Sequence, residues 1–360
     1  MKICYLIQDI TTRGGTERTT CCLADKMVRE GHSVTVVSVF HAYSHVVYPM
    51  DKRVRVVFVA DERYDGEMSM IRRFGLMLKQ IPRIRRCEAL READVVVSQK
   101  LLASLLACYA GWAHKTMACE HYRYGMYNAA IRRYRNHLYN RFRGLVVLTD
   151  NDKQQFEQHG VKRVFVVENM VSIEPLPWHG AASKAALSVG RLDKQKGYDL
   201  LLEAIAQHKK ELADWRFDIF GDGVERQALM EQRRRLGIEA QVRFLPFTQE
   251  IEQEYARHAF YVMSSRFEGF PMVLLEAAAA GLPIVSFDCK EGPGVLLQHG
   301  GGLLVEAENI SRLGDAIVRM ATDDALRNTL HMQTGAVVAP YSPEAIYTKW
   351  INVFETCKII

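Results

Sequence analysis

Residues Ser264 to Pro283 read SSRFEGFPMVLLEAAAAGLP, a strand end, a tight loop and a buried helix in immediate succession. Proline is favoured in a first helical turn, where its fixed φ and missing N–H cost nothing. Pro271 therefore leaves Glu268 in the loop and places Glu276 inside the helix, with seven residues between them. Free N–H groups expected at Met272 and Val273 form an anion site, and a carboxylate on either side can accept hydrogen bonds from hydroxyls. An anion beside a polyol suggests a sugar nucleotide. Two glutamates at this spacing also describe an ordinary loop and core helix. The intervening Gly-Phe-Pro and the trailing Gly281-Leu-Pro283 make the pattern specific.

Working outward through the second half, the run Ala186 to Val189 is a predicted strand that ends in Gly190-Arg191-Leu192, with Lys196-Gly197 close behind. Arg191 offers a rigid fork of donors and Lys196 a mobile point charge, a pair suited to a diphosphate when it precedes a helix. A basic pair on its own is more often solvated surface. Trp215 to Phe220 is the next strand and ends in the glycine turn Gly221-Asp222-Gly223. Val242 to Leu245, Phe260 to Met263 and Ile284 to Phe287 are further strands, residues 309 to 335 look helical, and Pro343 to Phe354 suggests a last amphipathic helix.

The first half opens as strand Lys2 to Ile7, helix Thr16 to Glu30 and strand Val34 to Val39, a βαβ unit of a doubly wound domain. Gly14-Gly15-Thr16-Glu17 lies at the helix start, where glycines let backbone approach a ligand or simply make a turn. The dinucleotide fingerprint G-x-G-x-x-G is absent, which argues against a dehydrogenase. Strands are expected at Val54 to Val59, Asp94 to Ser98, Thr116 to Cys119, Leu145 to Leu148 and Val164 to Val167. Glu120-His121 follows one of them, at the carboxyl end where open α/β sheets bind ligands. Asp150-Asn-Asp152 reads as a helix start, its carboxylates complementing the dipole. Residues 68 to 86 and 122 to 143 interleave basic with apolar or aromatic residues. Either stretch can lie on an anionic surface or cover its own domain.

The 360 residues, 48% hydrophobic and 25% charged, allow two soluble domains. The net charge of +5 is unevenly spread: residues 1 to 170 hold 27 Lys and Arg against 17 Asp and Glu, residues 171 to 360 hold 20 against 25. No nucleic-acid recognition motif accompanies the basic half, so anionic lipid or a pyrophosphate-linked acceptor explains it better. The early apolar run Ile3 to Ile7 is too short for a secretory signal. Leu101 to Ala113 has 13 uncharged residues, short of the roughly 20 a bilayer needs. Eight cysteines without C-x-x-C spacing point to reduced thiols in the cytosol.

The motif E-G-F-P-M-V-L-L-E, with G-R-L before K-G and the early G-G-T-E, resembles the retaining glycosyltransferases of family 4 (glycosyl transferases group 1). Asp288-Cys-Lys-Glu-Gly-Pro-Gly294 is similar to a branch that builds bacterial surface polysaccharides, lipopolysaccharide and lipid-linked glycans, although that branch often has glutamate where Gly294 stands. The resemblance implies the α/β GT-B fold, two Rossmann-like doubly wound domains facing a central cleft. Residues 1–172 would be the acceptor side, 173–180 a linker, 181–342 the nucleotide-sugar domain and 343–360 a helix crossing back. It also implies a retaining, metal-independent transfer without cofactor, from a nucleotide sugar, UDP-linked by family analogy. The acceptor would be a glycan or lipid-linked molecule, used at the inner face of the cell membrane by a cytoplasmic or peripheral protein.

Residue by residue, the resemblance places Arg191 and Lys196 on the diphosphate, Glu268 on sugar hydroxyls, Glu276 on the ribose and His121 near the donor sugar. Gly14 and Gly15 would contact acceptor or donor phosphates. Gly190, Gly221, Phe247, Gly269, Phe270, Pro271, Met272 and Val273 would line the nucleotide. A sugar-nucleotide epimerase of the same fold and a non-catalytic sugar-nucleotide-binding partner in glycan assembly remain alternatives, with a phosphorylase less favoured.

Overall fold

A computed structural model of the chain describes residues 1–60, 70–174, 176–248, 250–289 and 292–359. Contacts divide it into two units, Met1–Ser172 with Pro343–Ile360, and Ile173–Ser342.

The first unit is built on β1 (Lys2–Asp9), β2 (Ser33–Phe40), β3 (Arg55–Phe58), β4 (Val95–Gln99), β5 (Thr116–Cys119), β6 (Gly144–Val147) and β7 (Val164–Val166). Their order among the described residues is β3-β2-β1-β4-β5-β6-β7, with every pairing parallel. Strands covered on both faces need continuous apolar runs, and Ile3 to Ile7 and Val95 to Val97 are buried throughout. Helices α1 (Gly15–Arg29), α2 (Met70–Lys79), α3 (Ile81–Arg86), α4 (Glu88–Glu92), α5 (Lys100–Tyr109), α6 (Ala129–Tyr139) and α7 (Asp150–Gln158) supply the crossovers. The sequence order reverses between β1 and β4, so the loops after these strands flank the switch point, where such sheets leave a crevice.

The second unit repeats the scheme with β8 (Ala185–Val189), β9 (Arg216–Phe220), β10 (Val242–Leu245), β11 (Phe260–Met263), β12 (Ile284–Asp288) and β13 (Gly302–Glu306), ordered β10-β9-β8-β11-β12-β13. Its helices are α8 (Tyr198–Gln207), α9 (Arg226–Leu236), α10 (Ile251–Arg257), α11 (Met272–Ala279), α12 (Pro293–Leu296), α13 (Ile310–Thr322) and α14 (Asp324–Val338). The switch point here lies between β8 and β11. The final helix, α15 (Pro343–Thr356), belongs to the first unit, where Ile346, Trp350, Val353 and Phe354 join the cluster around Ile3, Tyr5 and Leu23. Each such apolar side chain contributes about 1.5–3 kcal/mol.

Strand β13 is not expected from the sequence. It begins at the third of three glycines and is half exposed, so its short apolar run carries no strong period; pairing with β12 makes it a strand. Residues 309–335 form two helices rather than one. Asp323 ends α13 in an extended conformation and caps α14 by accepting from Leu326 N–H. The amphipathic stretch 68–86 likewise divides, because Pro82 starts a new helix after Gln80. Met77 and Ile84 are buried with Leu106 and Ala107 of α5 and Ile81 packs against them, while Phe74 is exposed; Met68 and the side chain of Ile71 lie outside what the structure describes.

Candidate functional site

The residues expected on the diphosphate, the ribose and the nucleotide from Gly190 to Glu276 fall in the second unit, whereas His121, Gly14 and Gly15 fall in the first. The loop after β8 carries Gly190, Arg191 and Lys196, and the loop after β11 carries Glu268. Lys196 Nζ lies 2.8 Å from Glu268 Oε1 with both side chains largely buried. Ser265 Oγ donates to the same oxygen at 2.6 Å, fixing the carboxylate. Arg191 is exposed and meets Asp193 at 3.0 Å, so its guanidinium reaches into solvent.

Backbone geometry brings these loops together. Gly197 has φ +62°, and a Cβ there would run into the Ser264 carbonyl oxygen, so only glycine permits this approach. Arg266 grips Asp199 through two bonds of 2.8 and 2.6 Å and donates to Lys194 O, tying the β11 loop to the β8 loop. Gly221, at φ +154°, packs against the Gly190 carbonyl, and a Cβ at 190 would meet Tyr198 Oη at 2.9 Å. The glycine turns after β8 and β9 are thus in contact.

Helix α11 begins at Met272 with Pro271 as its cap. The Met272 N–H is not free as the sequence suggests. It donates to Phe270 O at 2.9 Å, because the Gly-Phe-Pro loop closes a tight turn before the helix. Glu276 lies one turn inside and is buried; Tyr255 Oη donates to its Oε2 at 3.1 Å. Phe270 packs edge-on against Tyr341, and Phe247 is exposed beyond β10. Gly269 is half-buried between Glu268 and Phe270. Cys289 is buried beside this loop, and burial pushes its thiol up to about 12, so it does not serve as a nucleophile at neutral pH. A Cβ at Gly294 would stand 2.7 Å from Asp288 Oδ1; Lys290 and Glu291 lie outside the described residues.

The first unit carries its own cluster. His121 follows β5 at the carboxyl end, its Nε2 2.5 Å from Gln99 Oε1. Burial and the nearby Lys100 ammonium hold the imidazole neutral down to about 3. Gly14 caps α1 in extended backbone and Gly15 opens the helix; the Glu17 carboxylate folds back onto Gly14 where a Cβ would otherwise stand. Glu120 is fully buried, 3.6 Å from Arg135, and accepts from Tyr139 Oη at 2.8 Å. Asp152 turns inward, accepting from Tyr124 N–H at 2.7 Å while Thr149 caps α7. A groove of about 450 Å³ beside α6 is lined by Tyr124, Arg132, Arg133, His137 and His159 among others, without a carboxylate.

Sequence reading missed Ser265, Arg266, Asp199 and Tyr255, which hold the acidic residues and the loops in place. The Ser265 to Glu268 spacing was a legible local signal. Tyr255 and Asp199 lie on other elements and gave none.

Residues 13–175 match the family model "Glycosyltransferase Family 4" and residues 181–336 match "Glycosyl transferases group 1". The chain is 26% identical to an amylovoran biosynthesis glycosyltransferase of Erwinia amylovora, over 98% of this chain and 99% of that one. It is also 26% identical to an α-1,4-N-acetyl-D-galactosaminyltransferase of Campylobacter jejuni named for a diphospho-undecaprenol-linked glycan, over 99% of both chains. Among solved structures, TarM of S. aureus, solved in complex with UDP, superposes with a TM-score of 0.81 at 15% identity, covering 98% of this chain and 100% of that one.

Proposed function

The chain belongs to the group 1 glycosyl transferases, with a family 4 glycosyltransferase first half, and on that premise we propose that it transfers a sugar from a nucleoside diphosphate donor to a glycan or lipid-linked acceptor with retention of configuration. The observation that carries this reading is the Lys196–Glu268 pair, which sets a phosphate-binding cation and a hydroxyl-binding carboxylate side by side at the switch point of the second unit.

In this scheme the bond between the sugar C1 and the diphosphate oxygen breaks. The acceptor hydroxyl oxygen bonds to C1 on the same face, and its proton passes to the departing phosphate oxygen. Lys196, Arg191 and the Val273 N–H stabilise the charge that builds on the phosphate. Glu268, released from Lys196 as the donor enters, accepts from sugar hydroxyls, and Glu276 accepts from the ribose. Neutral His121 hydrogen-bonds the transferred sugar without exchanging a proton. Gly190, Gly221, Gly269 and Phe270 shape the nucleotide's surroundings, Phe247 flanks the base, and neither metal nor cofactor takes part.

UDP is the proposed nucleotide, in line with the UDP complex of TarM, and bacterial surface polysaccharide or lipid-linked glycan assembly is the proposed setting, in line with the names of the two full-length relatives. The carboxylate-free groove beside α6 supports a peripheral contact with anionic lipid at the inner face of the cell membrane. No described helix is long and apolar enough to cross a membrane. A panel of sugar nucleotides, assayed for donor hydrolysis with mass analysis of the released sugar, tests the reading. One or a few UDP-sugars should be turned over; a new sugar nucleotide formed without acceptor would indicate an epimerase instead.

A further inference from the structure

His121 is held from behind by Gln99. Gln99 is the buried last residue of β4, and its Oε1 lies 2.5 Å from Nε2 of His121, in the loop after the neighbouring strand β5. An amide oxygen can only accept a hydrogen bond, so the ring nitrogen facing it carries the proton. A neutral imidazole has one N–H, and with Nε2 as the donor Nδ1 is left as an acceptor. Nδ1 has no partner among the described residues, and the ring is half-buried.

The charged groups around the ring keep it neutral. Lys100, next in the chain to Gln99, disfavours a second positive charge and pairs with Glu17 at 3.7 Å. Glu120 is engaged by Arg135 and Tyr139, and Glu168 is taken up by Lys349 at 2.6 Å. Glu168 and the Cys119 thiol line the same small cavity as His121 and Gln99. That cavity, about 10 Å³, has room for one water. Thr19, which also lines it, has its Oγ1 buried without a partner, and Gln99 Nε2 bonds to no described residue.

We propose that Gln99 is a positioning residue for the transfer: it fixes His121 as the Nε2–H tautomer, so that the nitrogen offered to the transferred sugar is Nδ1, which accepts from a hydroxyl and does not donate to one. This rests on the transferase reading. One water in the cavity accepts from Gln99 Nε2 and holds the amide with its oxygen towards the ring. The site then selects a sugar that presents a hydroxyl to Nδ1 and rejects one that presents only an acceptor. A bond that served packing alone would tolerate either tautomer, because the Gln99 amide could turn over.

A long-range proton–nitrogen correlation spectrum of the isotope-labelled full chain reads the tautomer without any ligand. The His121 proton should sit on Nε2, and Gln99→Met, close to the same size, should give a mixture of tautomers. With a sugar nucleotide that is turned over, Gln99→Met should lose about tenfold in kcat/KM, the worth of one hydrogen bond, while its affinity for UDP alone is unchanged. Gln99→Glu keeps the acceptor but stabilises the imidazolium, so its rate should recover only as rising pH removes the extra proton, a limb the parent lacks. Donors with one hydroxyl replaced by hydrogen or by fluorine add a chemical check. At the hydroxyl that meets Nδ1 both replacements should slow the parent equally, since fluorine cannot donate, and Gln99→Met should add little further loss. A proton on Nδ1 in the parent, undiminished turnover in Gln99→Met, a loss of UDP affinity equal to the loss of turnover, or fluorine tolerated at every position would each overturn the proposal. If no sugar nucleotide is turned over, the transferase reading falls and the role in transfer with it, while the spectrum still decides the tautomer.

Discussion

Lys196 and Glu268 meet at 2.8 Å across the β8–β11 switch point, joining two loops that are 72 residues apart in the chain. Each neutralises the other before any ligand arrives, and a diphosphate sugar would take up both at once, the cation by its phosphate and the carboxylate by its hydroxyls. The same pairing keeps two partly desolvated charges from facing the interior alone.

Arg191→Ala combined with Lys196→Ala should abolish transfer while the protein stays folded. Loss of comparable electrostatic donors costs roughly 3 kcal/mol of transition-state stabilisation, more than a hundredfold in kcat. Steady-state rates with the best donor, alongside circular dichroism, check this; unchanged turnover would remove both residues from the diphosphate.

Glu276→Ala should weaken binding of UDP alone by about tenfold, the value of one hydrogen bond to a charged group. Isothermal calorimetry measures it directly. The ribose assignment does not survive an unaltered affinity.

Gly197→Ala should lower stability by about 2 kcal/mol or more, because a Cβ adds left-handed strain to a clash with the Ser264 carbonyl. Donor affinity should fall with it, since Lys196 is the preceding residue. Urea unfolding and UDP titration on the same preparation would report both, and normal stability would mean that the loop has room to move.

His121 should stay neutral through the physiological range, with its imidazole resonances unchanged until the pH approaches about 3. Its folded-state pKa lies below that of the unfolded chain, near 6.5, so the unfolded chain takes up the proton first. Stability therefore falls as the pH drops from about 6.5 towards 3, and His121→Gln should reduce that dependence. A ring that titrates near 6.5 in the folded protein contradicts this.

Flotation with liposomes should depend on anionic lipid and weaken with salt, and Arg132→Ala with Arg133→Ala should reduce it, at about 1 kcal/mol per arginine. Equal behaviour with neutral lipid would favour a soluble acceptor.

What the sequence determines by itself is everything encoded within one element or one short loop. The apolar runs of β1, β4 and β11 read as buried strands, the Glu268 to Glu276 motif announces a loop and helix that hold two carboxylates, and Asp150-Asn-Asp152 announces a helix start. Strand β13 escapes because its residues become a strand only by pairing with β12, and the split at Asp323 escapes because apolar spacing continues across it. The tertiary structure alone decides which distant groups meet. It turns Met272 N–H back to Phe270, sets Ser265 and Lys196 on one oxygen of Glu268, puts Tyr255 under Glu276 and draws Lys100 to Glu17. The physical reason is that parallel strands are joined by long crossovers, so the two loops that flank each switch point are far apart in sequence and adjacent only once the sheet has formed.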